Sequence, residues 1–368
     1  MFERRMLKNL DLVLLITVFI VMAISLLVIA SATHTNPAGT PPNYYVKRQA
    51  MMIGIGIVVM AVVLTIDYHT MAHYAVYLYI ANIAMLLAVL LVPAEAKGAG
   101  RWIDLGFFRL QPSEFAKVLL IITLANYLAK TVGDMDTLTD LIPLLIHVAL
   151  PMVLIMAQPD LGTSLVFVAI LLGLLFIAGI KMQHIFSLLL AGVVSLPLLW
   201  KYLKDYQKNR LLVFLDPNID PTGSGYHVIQ SMIAIGSGRM LGQGFFAGPQ
   251  NQLNFIPEQH TDFIYSVVGE ELGFLGAGLL LLLYFIIIYR GIRIAINARD
   301  MLGTIMAGGI VTMLLFQVLV NVGMTVGIMP ITGLPLPLLS YGGSSLLSTL
   351  LGVGILLNVG MRRQKILF

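Results

Sequence analysis

The sequence predicts an all-α integral membrane protein, a polytopic bundle of about ten transmembrane helices. Composition is the first observation: hydrophobic residues make up 58% of the 368 residues and charged residues only 11%. A soluble domain carries about 25% charged residues, so a chain this apolar cannot cover a water-facing surface. The second observation is that apolar stretches long enough to cross the hydrocarbon recur along the whole chain. We therefore expect one membrane domain over 1–368.

Each expected span is an apolar stretch of roughly 20 residues, the length that crosses a bilayer. The first is too long for the apolar region of a cleavable signal, so we expect it to stay in place. The fifth contains Pro143 and Pro151, which remove backbone donors and favour a kink. The expected spans are 10–32, 50–66, 71–92, 113–130, 140–157, 161–180, 184–202, 263–289, 302–327 and 342–361.

The distribution of Lys and Arg predicts that both termini lie inside. With the N-terminus inside, the basic residues divide evenly between the two sides. The basic residues of the long segment that ends at Asp262 are left out of the comparison of the two sides, because long loops are translocated regardless of charge. Without them the inside has the excess, which gives an N-in/C-in topology with a large extracellular loop, 203–262, between spans 7 and 8. Apolar residues on one helical face of 226–235 predict a short amphipathic helix in that loop.

Composition also excludes several function classes. The chain has no cysteine, which excludes disulfides, a thiolate nucleophile and a cysteine metal site. A net charge of +4 is too small to indicate a nucleic-acid partner. The glycine-rich stretch 236–248 lacks the Gly-Lys-Ser/Thr ending of a phosphate loop, so we do not expect a nucleotide site there.

Basic residues on the outer side oppose the usual topological bias. They form either a solvated rim or a cationic bowl for an anionic headgroup. These residues are Lys47, Arg48, Lys97, Arg101, Arg109, Lys117, Lys208 and Arg210.

Three carboxylates lie at or near the outer ends of spans, where charge is costly and tends to be functional. Glu114 and Lys117 are three residues apart on one helix face, so they form a self-neutralising pair or line a polar cavity. Asp160 and Asp262 each precede a span, and either could cap a helix, serve a site, or both.

Other polar residues fall inside the spans. Glu270 and Glu271 indicate a polar interior, in a structural or a functional role. His147 is alone among apolar residues and is expected to be a satisfied core histidine. Gln317 and Asn321 are spaced for interhelical hydrogen bonding.

The outer segment 330–345 combines three prolines with glycines and alternating Leu and Ile. Such a segment can re-enter the membrane only where protein or a cavity satisfies its backbone; otherwise it is an ordered loop.

Several long motifs together resemble the SEDS family (shape, elongation, division and sporulation), over the full length of the chain. They are GRWI at 100–103, QPSE at 111–114, QPDLGT at 158–163, NFIPEQHTDF at 254–263, GEELG at 269–273 and LPLLSYGGSS at 336–345. A short N-terminal tail, GPQNQL at 248–253 and GLPLP at 333–337 favour its elongation branch over its division branch.

The resemblance implies a peptidoglycan glycosyltransferase that polymerises lipid II at the outer face of the bacterial cytoplasmic membrane, with a class B penicillin-binding protein as partner. It implies inverting attack of a sugar hydroxyl on an anomeric carbon that carries a polyprenyl diphosphate. A lipid II flippase and a non-enzymatic scaffold are the alternatives. The tails would need an apolar groove, which 334–339 and neighbouring spans could supply.

On this resemblance Asp262 matches the essential aspartate of the family and is the expected catalytic base. Arg101, Lys117 and Arg210 are expected to bind the diphosphate. Glu114 could orient Lys117, and Glu114 or Asp160 could instead bind a divalent cation, Mg or Mn, although no carboxylate spacing requires a metal. The supporting residues are Glu258, His260, Thr261, Ser340 and Gly342.

Overall fold

A computed structural model describes residues 9–35, 41, 43–91, 101–104, 106, 109–131, 133, 135, 137–221 and 223–363. Lys97 of the expected cationic bowl lies outside these residues. In the first half of the chain the helices are α1 (Leu12–Ala32), α2 (Tyr44–Thr65), α3 (Tyr68–His73), α4 (Ala75–Leu91), α5 (Pro112–Thr131), α6 (Ile142–Ala157) and α7 (Leu161–Ile177). In the second half they are α8 (Met182–Tyr202), α9 (Asp205–Leu215), α10 (Ser224–Ser237), α11 (Pro249–Gln252), α12 (Ile264–Ile296), α13 (Met301–Thr325) and α14 (Gly343–Met361).

Short elements complete the described chain. Strands β1 (Ile103–Asp104) and β2 (Arg109–Leu110) form an antiparallel hairpin with Ile103 opposite Leu110. Single 3₁₀ turns cover Leu138–Leu141 and Pro217–Ile219.

Every expected span contains a helix whose ends fall close to those predicted. Among the described residues, six helices are long and apolar enough to cross a membrane by length and composition, and three shorter apolar helices accompany them. The largest differences are at α12, which ends seven residues after the predicted end at 289, and at α2, which begins six residues before the predicted start at 50. In both cases polar residues continue the helix beyond the apolar run. Helix α6, which is the fifth expected span, continues through Pro151, and Pro143 lies in its first turn, where no backbone donor is needed.

The centre of the bundle is α14, which is buried along nearly its whole length. It packs against α2, α5 and α13, and α12 packs against α1 and α13. By contrast, α8 contacts α7, and among its described side chains Ile185 alone is buried, so most of its length is open to the surroundings.

Helix α12 is broken at Gly273, whose φ is 65°. The freed amides of Phe274 and Leu275 donate to the carbonyls of Arg239 and Met240, at 2.8 and 3.1 Å. The freed carbonyls of Glu270 and Glu271 accept from the amides of the same loop, at 3.0 and 2.9 Å. The glycine-rich stretch 236–248 therefore fills a helix break and satisfies its backbone.

The side chains of Glu270 and Glu271 serve the same junction. Glu270 accepts from the backbone amides of Gln250 and Asn251, at 2.8 and 3.1 Å. Glu271 accepts from the Ser31 hydroxyl at 2.5 Å and from the Asn251 side-chain amide at 2.8 Å. Both glutamates are buried, and their contacts are those of a structural pair that ties α11 and α1 to α12.

The segment 330–345 enters the bundle. Its leucines at 334, 336, 338 and 339 are at most 3% exposed and belong to the main core. Its carbonyls accept from Ser25 (to Leu339, 2.6 Å) and Tyr284 (to Pro337, 2.6 Å). Protein groups thus satisfy these backbone carbonyls, which is the condition for a segment that re-enters the membrane. The leucines of 334–339 are used for packing, so this segment does not supply the expected open groove for lipid tails, and the neighbouring spans are left as its source.

Candidate active site

A cavity of about 1170 Å³, lined in part by charged residues, opens at the end of the bundle where the segment 330–345 and the loop between α8 and α12 meet. It is larger than most small-molecule pockets, which measure roughly 300–1,000 Å³. Its lining carries more basic than acidic groups. The charged lining residues are Arg48, Arg101, Asp104, Arg109, Lys204, Arg210 and Glu258.

Asp262 and Arg210 meet beside this cavity, across Gly333. Asp262 Oδ2 and Arg210 Nη1 each lie 3.6 Å from the point where a Cβ on Gly333 would stand. Gly333 has a φ of 75°, a conformation that favours glycine. The expected base and one expected cation therefore flank a backbone position that has no side chain.

Asp262 is held through its backbone. Its carbonyl accepts from the side-chain amide of Asn321 at 2.9 Å, and the same amide donates to the Leu334 carbonyl at 2.7 Å. Asp262 does not cap α12: the N-cap residue is Phe263, and no side chain caps this end. Capping is therefore the wrong interpretation for Asp262, and its carboxylate stays directed to the surroundings of Gly333 and Arg210.

Burial raises the pKa of the Asp262 carboxyl to about 6. Arg210 and, more weakly, Arg101 act in the opposite direction, whereas the charges of Glu258 and Asp160 raise the pKa further. An aspartate is ordinarily ionised near 3.9 and is a weak base. A value near 6 brings Asp262 closer to the proton affinity that a general base needs near neutral pH.

Arg101 and Asp160 build the wall next to this pair. Arg101 donates to the carbonyls of Gln158, at 2.8 Å, and Pro159. Asp160 caps α7 by accepting from the Thr163 amide at 3.1 Å, which confirms the capping interpretation. Its second oxygen accepts from the Thr163 hydroxyl at 2.9 Å and, at 3.3 Å each, from Ser113 and Gln111.

Glu114 and Lys117 lie inside the bundle rather than in the cavity wall. Their side chains are 3% and 1% exposed and form an ion pair of 2.8 Å. Ser348 of α14 also donates to Glu114, at 3.2 Å. This arrangement is the self-neutralising pair, so direct contact of Lys117 with a diphosphate is not what the geometry favours.

The expected supporting residues surround Asp262. Glu258, Thr261 and Gly342 line the cavity. The Ser340 hydroxyl donates to the Thr261 carbonyl at 2.6 Å, and the backbone amide of Tyr341 donates to the His260 carbonyl at 2.9 Å. The turn before α12 is therefore fixed to the turn before α14.

The cationic bowl forms in part. Arg48, Arg101, Arg109 and Arg210 line the cavity, and Lys204, which the sequence pattern did not single out, joins them. Arg109 is 3.6 Å from Asp104 in the hairpin, and Lys208 is 3.8 Å from Asp205.

The described residues do not favour a divalent-cation site. No group of three or more His, Asp or Glu comes together within the described ranges. The oxygens of Asp160 accept internal hydrogen bonds, and Glu114 pairs with Lys117. These carboxylates are already used by protein donors, so they do not fit a bound Mg or Mn.

The roles of two residues at the site were not predicted from the sequence. Asn321 was expected to join helices, but it anchors the Asp262 and Leu334 carbonyls instead. Tyr206 of α9 donates to the Pro159 carbonyl at 2.9 Å, and its ring lies 5.9 Å from the Arg210 guanidinium. The spacing of Gln317 and Asn321 gave a partial signal, whereas nothing in the sequence pattern indicated α9. His147 matches expectation, since Thr123 lies 2.9 Å from its ring.

Known proteins resemble this chain over almost its whole length. A family model described as cell cycle protein, FtsW/RodA/SpoVE, matches residues 11–365. The peptidoglycan glycosyltransferase MrdB of Escherichia coli strain K12 is 40% identical over 359 residues, which is 97% of this chain and 95% of that protein.

Solved structures show the same fold. One is a chain of a peptidoglycan synthase complex, from work on the structural coordination of polymerization and crosslinking. It has a TM-score of 0.81 and 34% sequence identity, and the match covers 96% of this chain and 98% of that one. The crystal structure of the rod shape determining protein RodA of Thermus thermophilus has a TM-score of 0.72 and 29% identity, covering 97% and 98%.

Proposed function

This chain belongs to the FtsW/RodA/SpoVE family, the SEDS proteins, and from that premise we propose that it polymerises lipid II into β-1,4 glycan strands for cell elongation and cell shape. The activity is that of a peptidoglycan glycosyltransferase, the name that its relatives carry. The observation that supports this proposal is the Asp262–Arg210 pair across Gly333, at the edge of a cationic cavity large enough for saccharide headgroups.

The reaction joins two substrates that both carry lipid. A hydroxyl oxygen of the acceptor sugar forms the new bond to the anomeric carbon of the donor, whose bond to the diphosphate oxygen breaks. The hydroxyl proton passes to the Asp262 carboxylate, and the bonding electron pair leaves with the polyprenyl diphosphate. Attack from the face opposite the diphosphate inverts the anomeric configuration.

The positions of Asp262 and Arg210 suit the roles of base and leaving-group cation. A general base must lie within hydrogen-bond reach of the attacking hydroxyl, and positive charge must face the leaving group. Asp262 and Arg210 are close but separated by Gly333, so each can serve one side of the reacting carbon. Arg101 and Lys204 supply further positive charge on the cavity wall.

Glu114 and Lys117 are assigned a supporting role in this proposal. Their buried ion pair joins α5 to Ser348 of α14, whose first turn also lines the cavity. The pair thus maintains the distance between the two helices. Loss of one partner would leave an uncompensated buried charge, which costs about 3–5 kcal/mol.

The cellular setting follows from the same reasoning. We place the protein in the cytoplasmic membrane with ten crossings, both termini inside, and the cavity at the outer face, where the loop 203–262 lies. The partner we propose is a class B penicillin-binding protein, a transpeptidase that crosslinks the new strand. The similarity to a chain from a peptidoglycan synthase complex supports a partner of this type.

The test is polymerisation of labelled lipid II by the purified protein with its penicillin-binding partner, comparing the wild type with Asp262→Asn. This substitution keeps the shape of the side chain and removes the base. Asp205→Asn is the matched control, because Asp205 lies on α9 of the same loop with a fully exposed side chain.

We expect glycan ladders from the wild type and from Asp205→Asn, and their loss in a folded, partner-binding Asp262→Asn. Ladders from Asp262→Asn at the wild-type rate would remove Asp262 from catalysis. Absence of ladders from every protein, together with movement of lipid II across vesicle membranes, would support the flippase alternative instead, and absence of both activities would leave the scaffold alternative.

A further inference from the structure

Three aromatic rings from separate parts of the chain meet at one side of the cavity. Tyr45 is in the first turn of α2, His260 precedes α12, and Tyr341 precedes α14. The ring centroids lie 4.8 Å (Tyr45–His260), 5.1 Å (Tyr45–Tyr341) and 5.6 Å (His260–Tyr341) apart. Tyr45 and Tyr341 line the cavity, and all three rings are half-buried. We call this group the aromatic wall.

The aromatic wall is held by a buried hydrogen-bonded frame. Gln49, which is fully buried, donates to the Ser340 carbonyl at 3.3 Å and accepts from the Gly342 amide at 3.4 Å. The Tyr341 amide donates to the His260 carbonyl at 2.9 Å. The frame fixes the rings before any ligand arrives, which lowers the entropy cost of binding.

A guanidinium is fixed at the edge of the aromatic wall. Arg48 hydrogen-bonds to the Tyr44 hydroxyl and to the Tyr341 side chain, and it lies 5.5 Å from the centroid of the Tyr44 ring. Arg48 lines the same cavity. Arginine in a fixed orientation is well suited to bind phosphate oxygens in a bidentate manner.

The aromatic wall is also next to the expected base. His260 and Asp262 belong to one turn, which is tied to Ser340 through the Thr261 carbonyl at 2.6 Å. Because a base must be within hydrogen-bond reach of the hydroxyl that attacks, the sugar that carries this hydroxyl must lie beside this turn. Half-buried aromatic rings offer a sugar a flat apolar surface against which its C–H faces pack.

We propose that the aromatic wall of Tyr45, His260 and Tyr341 is the acceptor subsite, which binds the attacking saccharide while Arg48 binds the diphosphate attached to it. This inference rests on the proposed function. It gives the two substrates separate cations: Arg48 on α2 for the acceptor, and Arg210 on α9 with Arg101 for the leaving diphosphate of the donor.

The first test is steady-state polymerisation of lipid II by the protein with its penicillin-binding partner. Tyr45→Leu removes the ring, and Tyr45→Phe keeps it. Tyr202→Leu is the matched control, since Tyr202 at the end of α8 is 78% exposed and outside the cavity lining. We expect Tyr45→Leu to raise KM about tenfold, or about 1.4 kcal/mol, with a nearly unchanged kcat. Tyr45→Phe, which keeps the ring, should raise KM less than Tyr45→Leu does, and Tyr202→Leu should keep the wild-type KM.

The second test measures binding without turnover. Of the two tryptophans, Trp102 lines the cavity, so Trp200→Phe leaves one reporter at the site. In an Asp262→Asn background, fluorescence titration with lipid II should show about tenfold weaker binding when Tyr45→Leu or Tyr341→Leu is added, and unchanged binding for Tyr202→Leu.

These measurements separate the two proposals. Wild-type ladders with an unchanged KM and unchanged lipid II binding in Tyr45→Leu would overturn the acceptor subsite and leave the proposed function intact. A lower kcat at unchanged KM would assign the rings to structural support alone and would also overturn it. If the wild type forms no ladders, the proposed function itself fails, and binding to the Asp262→Asn background then shows only a lipid II site.

Discussion

Asp262 is subject to two opposing influences that set its strength as a base. Burial raises its pKa, which strengthens it, while the nearby Arg210 guanidinium lowers the pKa and favours the carboxylate. The balance near 6 keeps most of the group ionised at neutral pH and still able to accept a proton as the glycosidic bond forms. Arg210 is therefore expected to influence both the leaving group and the base.

The pH dependence of polymerisation should report this balance. The deprotonated carboxylate is the active form, so we expect kcat/KM to fall as pH decreases through about 6, roughly tenfold for each unit below it. Arg210→Gln removes the charge that lowers the pKa, so the midpoint should move to higher pH in addition to a loss of rate. The measurement is the initial rate of lipid II consumption at subsaturating substrate between pH 5 and 8.

Arg210→Lys is the control, because it keeps the positive charge and should leave the midpoint near that of the wild type. A midpoint that is the same in Arg210→Gln as in the wild type would contradict the electrostatic coupling of the two residues.

Single residues also show that the sequence did not predict which charged side chains are structural and which are functional. In the sequence, the energetic cost of a charged side chain within a membrane singles out four residues equally. That cost depends on how deeply the side chain is buried and does not reveal whether its role is structural or catalytic. The four residues are Glu114, Lys117, Asp160 and Asp262. The structure distinguishes them by their partners: Lys117 is neutralised inside the bundle, Asp160 is a cap, and Asp262 faces Gly333 and Arg210. Partners far apart in sequence were not predictable from spacing.

At the scale of elements, the break in α12 and the loop that fills it form one unit. The loop approaches so closely that Cβ atoms on Gly238, Gly242 or Gly273 would overlap backbone atoms across the junction. Glycine at these positions is therefore required by close approach, and the glycine-rich composition of 236–248 reflects packing instead of ligand binding.

Substitution at this junction should destabilise the protein. A Cβ on Gly242, whose φ is 78°, would overlap the Glu271 carbonyl, so we expect Gly242→Ala to reduce the stability by about 1–3 kcal/mol. Gly236→Ala is the matched control, since a Cβ there meets no atom within 4 Å. The measurement is thermal unfolding of the purified proteins in detergent. Equal unfolding temperatures for the two variants would show that the junction adjusts to a methyl group.

The helices were predictable and their interruptions were not. Apolar length alone located α1, α4 and α14 to within a few residues, because the bilayer thickness fixes how many residues a span needs. Helix α9 has a mixed composition, and the break at Gly273 leaves the apolar run intact, so neither gives a periodic signal. Both depend on contacts with residues that are distant in the sequence.

On the scale of the whole molecule, the ends of the bundle differ in their electrostatics. The cavity end leaves cations facing a polar space, which suits an anionic substrate. At the opposite end, charges pair with one another: Arg290 binds Asp11 at 2.6 Å, and Arg362 lies 3.2 Å from Asp67. The sequence offered a cationic bowl on the outer side as one of two alternatives, but the sidedness of Lys and Arg did not show which partner each cation would have.

The end of the bundle opposite the cavity, where charges pair with one another, contains a histidine that should make the stability of the bundle depend on pH. His69 lies between Asp67, at 2.9 Å, and Asp300, at 2.6 Å, and so connects the turn before α3 with the N-cap of α13. Partial burial lowers the pKa of His69, but the hydrogen bonds and charges of the two aspartates outweigh it and raise the pKa above 6.5. The protonated form is thus favoured by folding, so its contribution is fully present below about 6.5 and is lost as pH rises through the folded-state pKa.

Because the side chain of His69 is 47% exposed, solvent screens these pairs, and the contribution should be at most about 1 kcal/mol. We expect the unfolding temperature of the wild type to exceed that of His69→Gln at pH 6, and the two curves to converge as pH rises above the folded-state pKa. His73→Gln, on the same short helix, should follow the wild type. A difference between wild type and His69→Gln that stays constant with pH would show that His69 contributes by packing alone and does not link the two helix ends by charge.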